Sequence, residues 1–288
     1  MVQPALNGFL AIDKPAGMTS FDVIRHLRKQ TGIRTFGHAG TLDPFATGLL
    51  LIAVNQYTRL LSLWDEAEKT YEVVMELGKS SSTGDPEGEI TELSLPVVEP
   101  VIPEDLPEKV LSLQTLPLPK YSAVKINGKR AYSLARAQTE FTLQERKVRI
   151  YEFEVQNYNF PYLHYRCKVS KGTYIRSLSE RIAEQLGTVA YTKELRRTAI
   201  GRLKVEQASP LAEINADNLV SHFLPVLDII PALESVTLQE KDLAILRQGQ
   251  AVWNKGPDNA KVLIWDDSYR CCGIAFRSGQ KLHPKVNL

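Results

Sequence analysis

Short apolar runs alternate along this chain with breaks marked by glycine and proline. Phe9-Leu10-Ala11-Ile12-Asp13 reads as a short strand that ends at the loop Lys14-Pro15-Ala16-Gly17-Met18. Thr19 or Ser20 caps a helix carrying Phe21, Ile24 and Leu27 and stopping at Gly32. The unbroken run Leu49-Leu50-Leu51-Ile52-Ala53-Val54 predicts a buried strand, and residues 69–77 alternate as a half-buried one does. Residues 80–88 read as a loop, and residues 104–113 as a helix in a proline-rich stretch. Strands follow at 148–158 and 162–169. The turn Ser170-Lys171-Gly172-Thr173 opens a helix with Ile175, Leu178, Ile182 and Leu186 on one face, ended by Gly187. Residues 224–231 read as a linker, and residues 236–288, with short strands near 262–265 and 273–276, as a small β domain.

Composition narrows the class. A chain of 288 residues holds one large domain, or one large and one small. An apolar share of 43% with 24% charge is that of an ordinary globular protein. The N-terminus lacks the pattern of a signal peptide, and no apolar run approaches the ~20 residues of a membrane span. Cys167, Cys271 and Cys272 make no disulfide framework and no C-x-x-C pair, so the expectation is a reducing cytoplasm and no zinc site.

A net charge of +2 says little; its distribution says more. Thirteen carboxylates lie between Asp65 and Glu108, against Lys69 and Lys79. Eight bases lie between Lys120 and Arg149, with Tyr121, Tyr132 and Phe141 interleaved, and ten more between His164 and Lys204. Such polarity points to a basic surface and a polyanionic partner; solvated basic faces are the plainer alternative. Gly78-Lys79-Ser80 looks like the end of a P-loop, but Val73 stands where its first glycine belongs, which excludes ATP binding there.

The candidate chemistry centres on Gly37-His38-Ala39-Gly40-Thr41-Leu42-Asp43-Pro44. Glycines and Pro44 stiffen a loop that presents one carboxylate beside a buried strand, a good place for a nucleophile or base. Asp-Pro is also common turn chemistry. A lone carboxylate in a dry site protonates unless a cation holds it, and Arg176, in the first turn of its helix, is the candidate partner. Tyr71 is a core ring or one that stacks on a flipped base. His38 satisfies its own loop or wedges into the gap a displaced base leaves. Lys14 contacts a phosphate or is solvated.

Four blocks in order resemble the bacterial tRNA pseudouridine-55 synthases, the TruB family. They are residues 8–20, residues 37–48 around Asp43, Pro119-Lys120-Tyr121-Ser122-Ala123-Val124-Lys125 with Tyr132 and Arg136, and Ser170-Lys171-Gly172-Thr173-Tyr174-Ile175-Arg176 with Leu195-Arg196-Arg197-Thr198. Gln248-Gly249-Gln250 and Leu282-His283-Pro284-Lys285 resemble the family's small PUA-like RNA-binding domain. Ala39, Phe45 and Gln138 depart from the family's usual residues beside the key positions.

The resemblance implies an α+β pseudouridine-synthase fold. It has a central mixed, largely antiparallel sheet flanked by helices, plus a small C-terminal PUA-like β-barrel. The catalytic domain would span residues 1–230, with a basic tRNA-clamping insertion at about 117–150, and the PUA-like domain residues 231–288. The implied activity is isomerisation of uridine 55 in the tRNA T-loop, with Asp43 as catalytic nucleophile on a flipped-out nucleotide; whether it attacks the base or the sugar stays open. Tyr71 would stack on the base and help remove the C5 proton, Arg176 would pair with Asp43, and His38 would stack in the vacated T-loop. Tyr174 and Leu195 would line the uracil pocket, and Lys14 with Pro15 would support the site. No cofactor and no metal are implied, the partner is the T-stem–loop of tRNA, no membrane is involved, and a monomer is the default. A non-catalytic tRNA-binding or tRNA-folding module on the same surface is the alternative. A hydrolase using Asp43 and His38 needs a second acid near the loop, and none has useful spacing.

Overall fold

A computed structural model describes residues 6–92, 99–119, 121, 125–126, 129–130, 145–231 and 233–288. The elements that build the site are β1 (Gly8–Lys14), α1 (Ser20–Thr31), β2 (Phe36–Ala39), β3 (Thr47–Val54), β4 (Lys69–Leu77), β5 (Ile150–Asn159), β6 (Tyr162–Val169), α2 (Ile175–Gln185) and β7 (Ala190–Ile200). They form one sheet ordered β5-β6-β4-β7-β3-β1, followed by Ser209–Pro210. β2 adds to β3, and Leu203–Lys204 to β7. Neighbours are antiparallel except β7 with β3 and β1 with Ser209–Pro210. The fold is therefore α+β with a mixed, largely antiparallel sheet, as the family resemblance implied.

The unbroken apolar run of β3 follows from burial on both faces, since side chains alternate sides along a strand. Leu49, Leu51 and Ala53 enter one core, and Leu50, Ile52 and Val54 enter another. α1 covers the second core with Val23, Ile24 and Leu27. Thr19 is its N-cap in a capping box with Asp22, and Gly32 ends it in the left-handed region at φ 72°. Phe21 is off that apolar face, at 56% exposure, and Val23 takes the place expected of it. A third core joins Tyr71, Val73, Met75 and Leu77 of β4 to Ile175, Leu178 and Ile182 of α2.

Residues 80–88 belong to a hairpin rather than a plain loop, because Lys79–Ser81 pairs with Ile90–Glu92. In the basic segment, Lys125–Ile126 pairs with Lys129–Arg130 and Glu145–Lys147 with Thr115–Pro117. Tyr132, Arg136, Gln138 and Phe141 lie outside the described residues.

The C-terminal sheet is ordered Glu234–Thr237, Ala260–Trp265, Cys271–Ser278, Lys281–Asn287, Val252–Trp253. It forms a half-barrel compatible with a PUA-like domain. Leu263, Trp265 and Ile274 of this sheet share a core with Phe9, Leu49 and Trp64. Ile229 and Ile230 are buried in the same cluster, so residues 224–231 pack against the body instead of spanning solvent as a free linker. No described helix is long and apolar enough to cross a membrane.

Candidate active site

The Asp43 loop is stitched down on both sides of the carboxylate. Ser20 Oγ accepts from Leu42 N at 2.9 Å, and Ala46 N donates to Asp43 O at 3.1 Å. Pro44 O accepts from Gly17 N at 2.9 Å and from Lys14 Nζ at 3.2 Å. Lys14 is fully buried and also donates to Pro15 O and Met18 O, so it clamps the two loops together. Burial pulls its ammonium down to about 8, although Asp43 raises it.

Arg176 reaches this loop from α2. A buried hydroxyl chain, Tyr165 Oη to Ser179 Oγ to Thr192 Oγ1, at 2.8 Å for each link, ties α2 to β6 and β7. Ser179 lies three residues on from Arg176, on the same helix face. The Arg176 side chain is 5% exposed. Nε makes a 3.1 Å ion-pair contact with Asp43 Oδ2 that is not aligned as a hydrogen bond, and Nη2 donates to Asp43 Oδ1 at 3.4 Å. Nη1 lies 3.2 Å from Asp85 Oδ2 and donates to Thr83 O at 2.8 Å, while Nη2 also donates to Tyr121 O at 3.2 Å. A guanidinium at a helix N-terminus opposes the dipole, and two carboxylates beside it more than offset that cost.

The Asp43 side chain is 33% exposed, so an incoming group can reach its oxygens. Its pKa is raised, chiefly by burial, with Asp85 acting the same way and Arg176 and Lys14 opposing. Sequence reasoning expected the arginine to dominate; the desolvation of the loop outweighs it.

Asp85 was not foreseen. It is 3% exposed and is delivered by the hairpin, where Gly84 takes φ 74° and passes close to α2. A Cβ at Gly84 would come within 2.9 Å of Glu180 Oε1 and 3.3 Å of Arg176 Cβ, which demands glycine. The available signal was a second Asp-Pro pair, Asp85-Pro86, preceded by glycine.

Tyr71 is 8% exposed on β4, and the negative charge of Asp43 acts on its phenol. Leu195 on β7 pairs in register with Val73 and shares the core with Tyr71. Tyr174 is the N-cap of α2, its ring 6.0 Å from the Arg176 guanidinium carbon. His38 is on β2, opposite Ile52, and not in a loop. Its imidazole pKa is lowered by burial and then by Arg197. Asp43, Arg176, Lys14 and Tyr71 thus converge, whereas the charge felt by His38 comes from Arg197. Among the described residues no His, Cys, Asp and Glu cluster has the makings of a metal site.

The sequence pattern of the "TruB family pseudouridylate synthase (N terminal domain)" matches residues 28–175. The tRNA pseudouridine synthase B of Aquifex aeolicus is 35% identical over 290 residues, covering 97% of this chain and 99% of that protein. The protein of the same name from Clostridium tetani is 35% identical over 254 residues, covering 87% of each chain. Among solved structures, a chain of a Cbf5-Nop10-Gar1 complex superposes with a TM-score of 0.70 at 23% identity, covering 98% of this chain and 84% of that one. An H/ACA RNP bound to a substrate RNA containing 2'-deoxyuridine gives 0.69 at 22% identity, covering 97% and 84%. These two likenesses establish the pseudouridine-synthase fold. The chain belongs to the TruB family of pseudouridine synthases.

Proposed function

We propose that this chain isomerises uridine 55 of the tRNA T-loop to pseudouridine, with Asp43 as the nucleophile on a flipped-out nucleotide. At the coarser level, family membership makes it a tRNA pseudouridine synthase, an isomerase. The observation that carries the finer reading is the carboxylate of Asp43, open to solvent on one side and held from behind by the buried Arg176. Burying charge is costly, and a surface that only binds RNA has no use for it.

In this reading the N1–C1′ glycosidic bond breaks, the uracil turns within the site, and a C5–C1′ bond forms. The C5 proton leaves and N1 gains one, so atoms and electrons balance within an isomerisation. Asp43 forms and releases the covalent bond, and Arg176 steadies its charge through both changes. Tyr71 stacks on the base and assists removal of the C5 proton, with Tyr174 and Leu195 closing the pocket. His38 fills the space the nucleotide leaves in the T-loop. Lys14 holds the loop; its ammonium is committed to three carbonyl oxygens and not to a phosphate.

Incubation with an unmodified tRNA transcript, followed by chemical mapping of pseudouridine, tests the position. One product at nucleotide 55 is expected; several sites, or a single site elsewhere, would refute it.

A further inference from the structure

A single row of residues crosses the sheet beneath the Asp43 loop. Cys167 pairs with Tyr71, Tyr71 with Arg197, Arg197 with Gly48, and Gly48 with Lys14. Cross-strand partners present their side chains on one face about 5 Å apart. At Gly48, φ is 98°, and a Cβ would lie 2.3 Å from Arg197 O, so β3 and β7 touch backbone to backbone there.

Arg197 is 1% exposed. Its Nε donates to Leu49 O at 2.8 Å and its Nη2 to Gly40 O at 3.0 Å. Tyr71 is its cross-strand partner on β4, and the guanidinium and the phenol act on each other. A buried guanidinium normally has a carboxylate partner.

We propose that Arg197 is a positioning residue, which ties the start of the Asp43 loop through Gly40 to the strand pair that carries Tyr71 and polarises the Tyr71 phenol for proton transfer. Nucleophile and stacking ring then keep one spacing as the nucleotide enters. The inference rests on the role given to Tyr71 above. The titratable groups that act on the phenol are Arg197 from β7, Cys167 from β6 and Asp43 from the loop. Burial, Cys167 and Asp43 keep it protonated, and Arg197 alone pulls the other way. Loss of the Arg197 charge therefore moves ionisation of Tyr71 to higher pH.

The test is the single-turnover rate on a tRNA transcript, measured from about pH 6 to about pH 11, because burial holds the phenol above its ordinary value of 10.0. The proteins are wild type, Tyr71→Phe, Arg197→Lys, Arg197→Gln and Tyr71→Phe combined with Arg197→Gln, each checked for folding by thermal unfolding. Arg197→Gln should slow the reaction about a hundredfold with tRNA affinity retained, as a displaced catalytic group does. Its alkaline limb should move up in pH, and Arg197→Lys, which keeps the charge and offers a second chance of a folded variant, should restore part of both. On the Tyr71→Phe background, Arg197→Gln should cost less than about threefold more, because coupled residues are not additive. Equal losses at every pH and in both backgrounds would overturn the inference and leave Tyr71 in its role. Tyr71→Phe at the wild-type rate would overturn both.

Discussion

Asp85 faces Asp43 across one guanidinium: Arg176 Nη1 lies 3.2 Å from Asp85 Oδ2, and Arg176 Nε lies 3.1 Å from Asp43 Oδ2. The two acids differ in access. Asp85 is 4% exposed at its side chain and Asp43 is 33% exposed, so one anchors the arginine and the other meets substrate.

Asp85→Asn keeps the shape and removes the anchoring charge. It should destabilise the protein by about 3 kcal/mol, the scale of a broken buried ion pair. Turnover should fall while tRNA affinity holds. Denaturant unfolding and turnover, measured side by side, check this; unchanged stability would mean that the contact to Asp85 carries no weight.

Arg176→Lys should lower turnover by about a hundredfold or more, the cost of losing one preorganised donor at a charged centre. Lysine keeps the charge but not the fork that reaches Asp43, Asp85, Thr83 O and Tyr121 O at once. Steady-state kinetics decide it, with near-normal turnover removing Arg176 from the site.

The raised pKa of Asp43 gives a signed prediction for stability. A carboxyl that binds its proton more tightly when folded stabilises the fold when protonated, and stability is lost as pH rises through the folded value. Asp43→Asn should therefore raise Tm at about pH 7 and leave it unchanged below about pH 3, where both states are protonated. A lower Tm for the variant at neutral pH would contradict the balance of burial over ion pairing.

Affinity for tRNA should fall steeply and linearly on a log–log plot against salt, with a slope of about −0.9 per phosphate neutralised. Fluorescence anisotropy of labelled tRNA across a salt series reads this directly. A flat response would mean that the basic stretches of this chain do not meet phosphates.

Much of this architecture is legible in the sequence because it is local. β3 is visible as an apolar run, and α1 through Thr19 and Gly32. Asp43 stands out through its glycines and proline. The missed features are long-range or disguised. The Asp43–Arg176 pair, 133 residues apart, was expected all the same, but the second acid on that guanidinium was not. The hairpin carrying Asp85 is made of serine, glycine and proline, which read as a loop, and only its packing on α2 reveals the buried acid. Arg197 looks like a solvent-facing strand residue until register sets it against Tyr71. Prolines 225 and 231 suggested a linker, yet Ile229 and Ile230 between them are core.

Release of tritium from C5 of uridine in a tRNA transcript tests the central claim most directly, because that proton leaves only if the base is reattached through carbon. Wild-type protein should release one equivalent per tRNA, and Asp43→Asn none, with tRNA affinity within about tenfold because phosphate contacts dominate binding. Release by Asp43→Asn at the wild-type rate would contradict Asp43 as the nucleophile, and no release by the wild type with tight binding intact would contradict the reaction itself.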